Sequence, residues 1–189
     1  MDGFAAALNG RIRSMARTHE LLSIGRWQGI SLTELVRREL APYAMRYNTE
    51  INGPEIVLRA EAGQAMAMVL HELTTNAAKY GALSTKQGRV LIRWDHRLNG
   101  HARSDLVLKW KEMGGPPVAS PSKPGYGTST IRDLIPYEFG GMVDHVLAPD
   151  GVRCHLQLPA DWLINDGDTV SGASTYANDR QEIKALKVR

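Results

Sequence analysis

His71-Glu-Leu-Thr-Thr-Asn-Ala-Ala-Lys-Tyr-Gly-Ala-Leu-Ser84 is the stretch on which the fold turns. It closes an alanine- and methionine-rich run, Ala60 to Tyr80, that reads as one long helix stopped by Gly81. Glycine suits the position just past a helix end. On a wheel of about 100° per residue, Glu72, Asn76 and Lys79 fall within roughly 60° of one another. Met66, Val69, Leu70, Leu73, Ala77 and Tyr80 fill the neighbouring arc, the expected core face. A carboxylate, an amide oxygen and an ammonium therefore share one stripe beside that face. The amide oxygen is a hard neutral ligand for Mg²⁺, the carboxylate can orient a water or a nucleophile, and the lysine can offset phosphate charge. An ordinary solvated face with a Glu–Lys pair has the same spacing, so the stripe alone leaves both readings open.

Downstream, Asp105-Leu-Val-Leu-Lys-Trp-Lys-Glu112 alternates like a strand, with Leu106, Leu108, Trp110 and Glu112 on one face. A glutamate on the inward side after three apolar residues needs a partner, because a buried unpaired carboxylate is costly. Either Glu112 lies at the strand's end and reaches water, or it accepts a hydrogen bond from a ligand amine. The amino group of adenine would serve, whereas guanine presents a carbonyl there, so such a site prefers ATP to GTP. Gly114-Gly115 would let the backbone approach a base closely. Gly125-Tyr-Gly127-Thr-Ser-Thr then opens a helix, and glycines before a helix amino terminus present free amides to phosphate. Taken alone, that Gly-x-Gly is equally a flexible loop.

Around these motifs the chain divides in three. Phe4, Leu8, Ile12, Met15, His19 and Leu22 recur at helical spacing. A second helix starts at the capping box Ser31-Leu-Thr-Glu34 and ends before Pro42. Residues 1–47 are thus a helical segment. Residues 48–163 carry strands at Glu55–Arg59, Arg89–Trp94 and Leu106–Glu112, a loop from Gly114 to Gly127, and a helix from about Ser129 that Pro136 should shorten or kink. Met142–Val146 and Val152–Leu158 form a hairpin around Ala148-Pro-Asp-Gly151. Residues 164–189 read as a linker or disordered tail, whose last residues, Ile183 to Arg189, resemble the start of a further strand.

Composition sets the outer bounds. The 189 residues, 43% hydrophobic and 23% charged, suit one soluble globular domain with an added helical element. No run approaches the roughly 18 apolar residues of a membrane span, and no signal-peptide pattern opens the chain. A cytoplasmic protein is the expectation. The lone cysteine, Cys154, excludes an internal disulfide and a multi-cysteine zinc site, and its place in an alternating run predicts a buried thiol. The formal charge of +3 is concentrated before residue 48, with seven arginines against four acids. That is not the dense basic stripe of a nucleic-acid binder, and none is expected as a partner.

An acid-Asn helix, an acid-Gly strand end and a Gly-x-Gly segment, in this order, resemble the N, G1 and G2 boxes of the GHKL ATPase superfamily. His71 to Ser84 together with Trp110-x-Glu112-x-Gly-Gly-Pro-Pro117 is more specifically similar to the HWE family of sensor histidine kinases, over about Phe4 to Pro159. The resemblance implies the Bergerat α/β sandwich, helices on one face of a mixed sheet. It implies ATP and Mg²⁺ as ligands, with Asn76 on the metal, Glu72 near the γ-phosphate and Lys79 on phosphate. Glu72, Asn76 and Lys79 would be the catalytic set. His71, Tyr80, Gly114 and Gly115 would join the ATP site, Glu112 would bond adenine, Trp110 would wall its pocket, and Gly125, Tyr126, Gly127 and Thr128 would form a short lid.

The same resemblance implies transfer of the γ-phosphate to a histidine, for relay to a response-regulator receiver domain, under an upstream sensor domain. In this family the accepting histidine lies in a His-Arg-x-x-Asn-like box, and none occurs here. Phe4 to Ser23 is similar to the second helix of the acceptor hairpin, so the acceptor is expected upstream, outside this chain. His19, in His19-Glu-Leu-Leu, sits on an apolar stripe and reads as a packed histidine. The first two helices could supply half of a homodimeric four-helix bundle. The alternatives are a GHKL-type ATP hydrolase, or an ATP-binding regulatory module without kinase activity.

Overall fold

The computed structural model describes residues 29–43, 48–98, 104–117 and 126–164. The helix expected over residues 4–22, with His19, lies outside them, as do Gly125, the middle of the Gly114–Gly127 loop, and the tail from residue 165.

Strand β1 (Ile30–Ser31) leads directly into helix α1 (Leu32–Leu40). Ser31 caps it, its Oγ accepting from the Glu34 N–H at 3.3 Å, and the helix stops before Pro42 as the sequence predicts. Strands β2 (Thr49–Asn52) and β3 (Val57–Leu58) follow. Helix α2 (Ala60–Lys79) is the 20-residue element read from the alanine-rich run. Strands β4 (Arg89–Leu98) and β5 (Ser104–Met113) are both longer than expected. Helix α3 (Tyr126–Phe139) precedes the hairpin of β6 (Met142–Ala148) and β7 (Gly151–Leu158), and β8 (Leu163–Ile164) closes the described chain.

Five strands form a mixed sheet in the order β2-β4-β5-β7-β6, with β2 parallel to β4 and the other pairs antiparallel. Register explains its one-sided core. Ile92 stands opposite Trp110, Trp94 opposite Leu108, Leu108 opposite Leu156 and Trp110 opposite Cys154, and all of these are buried. The intervening residues Arg93, Lys109, Lys111 and Arg153 are exposed on the other face. Among the described residues helices therefore cover one face only, with α2 in the middle, packed against α1 on one side and α3 on the other. This is the expected two-layer sandwich. Cys154 is fully buried, as its place in the alternation implies, and burial pushes its thiol up to about 12.

Three expectations need correction. The strand read over Glu55–Arg59 narrows to Val57–Leu58, sandwiched between β1 and β8 in a small separate sheet. Leu32, Leu35, Val36 and Leu40 of α1 belong to the same apolar cluster as α2 and the large sheet. Helix α3 starts three residues before Ser129 and runs through Pro136 to Phe139. Ile131 and Ile135 are wholly buried, and the Phe139 ring meets Trp162 edge-on at 4.8 Å. That packing outweighs the one amide bond a proline removes. Tyr80, assigned to the core arc, is 73% exposed. The helix ends at Lys79, and at φ −132° Tyr80 has left the helical path, so its phase on the wheel no longer applies.

Candidate functional site

Glu112 is 3% exposed, which removes the reading in which it reaches water from a strand end. It sits opposite Val90 on the covered face, one pleat beyond Trp110. Its Oε2 accepts from the Ala82 N–H at 2.8 Å, and its Oε1 from the Trp110 indole N–H at 3.2 Å. The carboxylate is thus held by the protein itself before any ligand arrives. Each carboxylate oxygen has two lone pairs, so capacity for a further donor remains. Burial pushes the Glu112 carboxyl above its ordinary range, while the two N–H donors pull it part of the way back. Trp110 is 1% exposed and so does not form an open wall. Its chemical part is the indole N–H, delivered by the two-residue period of a strand to the side chain next on its face.

The turn after α2 is built around the same carboxylate. Gly81 N–H donates to the Asn76 and Ala77 carbonyls at 3.1 Å each, closing the helix. A β-carbon on Gly81 would overlap Glu112 Oε2, and one on Gly115 would come within 2.8 Å of Ala82 N. Gly114 adopts φ 68°, a left-handed conformation that favours glycine. Gly115 is therefore accounted for by the close approach of the β5 end to the Gly81–Ala82 backbone, and Gly114 by its positive φ beside the Gln87 carbonyl. In this way the last turn of α2, carrying Asn76, is locked to the strand end carrying Glu112.

Glu72 is buried, Asn76 half-buried and Lys79 exposed, so the stripe runs from the α2–α3 interface out to solvent. It is not a uniformly solvated face. Gly127, in the first turn of α3, lies over its inner end. A β-carbon there would overlap Glu72 Oε2 and stand 3.8 Å from Asn76 Nδ2. The structure thus brings together Glu72, Asn76 and Gly127, and separately ties Gly81, Ala82, Gly115, Trp110 and Glu112 into one knot. Thr128 is half-exposed in the same first turn of α3. Lys79 and Tyr80 stand at the open end. No cluster of three or more His, Cys, Asp or Glu suited to a metal exists among the described residues. The donor set at Asn76 is instead one amide oxygen beside a carboxylate, which fits an ion that keeps phosphates and waters as its other ligands.

His71 is not brought to this stripe. It points from the flank of α2 that faces α1, where its Nδ1 lies 3.0 Å from Glu39 Oε2. Two participants were not foreseen. The Ala82 amide has no side-chain signature, although its place in the quoted Gly81-Ala-Leu-Ser84 could have drawn attention to it. Glu39 is a buried acid in the last turn of a helix, and its amphipathic phase was the available signal.

The sequence model of the HWE histidine kinases matches residues 1–55, a span only partly within the described residues. A blue-light-activated histidine kinase of Rhizobium johnstonii is 34% identical over 157 residues, which is 83% of this chain and 44% of that protein. A blue-light-activated histidine kinase of Erythrobacter litoralis is 34% identical over 163 residues, 82% of this chain and 44% of its own length. The chain thus spans less than half the length of these relatives. In three dimensions it is similar to the histidine kinase domain of an Erythrobacter litoralis blue-light activated histidine kinase, with TM-score 0.57 and 12% identity, covering 82% of this chain and 75% of that one. It is also similar to the catalytic domain of the histidine kinase ThkA, with TM-score 0.52 and 18% identity, over 70% and 96% of the two chains. Those structural likenesses concern the fold, which is the histidine kinase catalytic-domain fold. Sequence and fold agree: the chain is similar to the HWE histidine kinases and has the histidine kinase catalytic-domain fold.

Proposed function

We propose that this chain is the ATP-binding, phosphoryl-donating part of a sensor protein-histidine kinase. The observation that carries the reading is Glu112. It is a buried carboxylate, fixed by two N–H donors, at the junction of the N-box helix with the glycine-rich strand end. It accepts the adenine amino group. Asn76 offers its amide oxygen to Mg²⁺, Glu72 lies near the transferring phosphate, and Lys79 at the open end offsets phosphate charge. Mg²⁺, when bound, supplies charge neutralisation on the phosphates. Gly125 to Thr128 begin the lid, with Gly127 small enough to lie directly on Glu72.

The donor unit is residues 48–163 together with α1, which shares its core. No helix among the described residues is long and apolar enough to cross a membrane. We place the unit in the cytoplasm, with a receiver domain, an upstream sensor and a second copy through the amino-terminal helices as partners. The phosphoacceptor lies outside the chain. Calorimetric titration with Mg-ATP tests the site: binding is expected, and Glu112→Ala or Asn76→Ala should weaken it at least tenfold. Incubation with labelled ATP and a separately supplied acceptor hairpin should yield acid-labile, base-stable phosphate on the hairpin. Label on His19 would overturn the external acceptor. Steady phosphate release without phosphoprotein would favour the hydrolase alternative.

A further inference from the structure

We propose that His71 is a positioning residue, whose bond to Glu39 sets the rotation of α2 against α1 and thereby the placement of Asn76. The proposal rests on the ATP-site reading above, which it deepens. His71 and Glu39 face each other across the α1–α2 interface, with Nδ1 3.0 Å from Oε2 and side chains 14% and 4% exposed. A proton on Nδ1 donates to the carboxylate. Glu39 lies in the last turn of α1, whose Leu35, Val36 and Leu40 are buried in the common core.

The buried surface of α2 mixes small residues, Ala62, Gly63, Ala65, Ala67 and Ala77, with the larger Met66, Val69, Leu70 and Leu73. Apolar burial is non-directional, so these contacts alone leave the fine setting of the roll open. A buried charged hydrogen bond is directional, and buried polar groups can select one packing among near-equivalent ones. Around the helix, His71 stands about 140° from Asn76 and about 100° from Glu72. A roll of about 20°, at a side-chain radius of about 5–6 Å, would move the Asn76 amide about 2 Å. Displacements of about 1 Å can matter strongly in phosphoryl transfer. Glu112 keeps its bond to Trp110 within β5, and its other donor, Ala82, lies beyond the helix end at Gly81, so the base site would move less than Asn76.

This separation gives the test. The 189-residue chain and its His71→Leu, His71→Asn and Glu39→Ala variants are titrated with Mg-ATP and, separately, with adenosine, which engages only the base site. The expected result is an approximately tenfold loss of Mg-ATP affinity in His71→Leu and Glu39→Ala, with adenosine affinity within about twofold of the parent. His71→Asn should restore Mg-ATP binding, since its amide nitrogen occupies nearly the place of Nδ1. Equal Mg-ATP affinity in His71→Leu and the parent would overturn the proposal and leave the ATP site standing. Parallel loss of both ligands, or failure of His71→Asn to restore binding, would reduce the pair to a fold-stabilising contact and overturn it too. Absence of Mg-ATP binding by the parent chain would overturn the site and the proposal together.

Discussion

At the scale of single residues, Glu112 is subject to two opposing demands. Its ionised form is disfavoured by burial, yet the ionised form is the better acceptor for a base amine. The sign of each pH effect follows. Because the folded carboxyl titrates above its unfolded value, its contribution to stability is fully present below the unfolded value. That contribution is lost as pH rises through the folded one. ATP affinity runs the other way and increases over the same rise. Glu112→Gln should abolish both trends. It should also cost about 1–3 kcal/mol, because glutamine has one acceptor oxygen for the Ala82 and Trp110 donors and leaves the other facing an NH₂ group. Chemical denaturation and ATP titration across about pH 4.5–8 read both outcomes. An affinity that does not change with pH in the parent would count against an ionised Glu112 in base recognition.

At the scale of elements, the junction between α2 and β5 depends on what a glycine leaves out. Gly81→Ala places a methyl group where Glu112 Oε2 now lies, so either the carboxylate or the helix end must shift. The expected outcome is a destabilisation of about 1–3 kcal/mol and a loss of ATP affinity of tenfold or more. Thermal melts and titration measure the two, and an unchanged affinity would show that the knot is not part of the site. The same junction shows how far the sequence alone could be read. Helices α1 and α2, strands β4 and β5 and the final hairpin follow from period, caps and turn residues, which are local properties. The parity that put Glu112 inward beside Trp110 is local too, and it held. The partner of that carboxylate is a backbone amide thirty positions earlier in the chain, and no periodicity marks it. Strands β1, β3 and β8 contain two residues each, too few to show alternation, and exist only because they meet one another. Pro136 misled because its local penalty is plain while the buried anchors Ile131, Ile135 and Phe139 act through tertiary contact. His71 was placed in the ATP site by resemblance, whereas its angle on the helix already set it away from Asn76.

At the scale of the whole molecule, the two-layer architecture leaves one sheet face without a helix among the described residues, and that face carries like charges in register. Arg93 stands opposite Lys109 and Lys111 opposite Arg153, while His155, beside Lys109, has Asp144 on its other side. Glu50 pairs with Arg93 at 2.6 Å and Asp150 with Arg153, but no acid stands opposite Lys109 or Lys111 in the register. Like charges directly across a strand pair cost about 0.2–1 kcal/mol, an amount small enough for the buried face to tolerate. Exposed charges are screened by salt within a Debye length of about 10 Å at 0.1 M. Raising the salt concentration should therefore stabilise this chain, the reverse of the behaviour of a fold held by surface ion pairs. Lys109→Glu turns the pairing with Arg93 into a favourable one and should raise the melting temperature by up to about 4 °C at low salt. The gain should shrink as salt is added, because the interaction it repairs is the one that salt already weakens. Melting curves of the parent and the variant at low and high sodium chloride decide the matter. A parent that melts at the same temperature in both would mean that the cationic rows are already relaxed by side-chain spreading. In that case the one-sided sandwich carries its charged face at no cost.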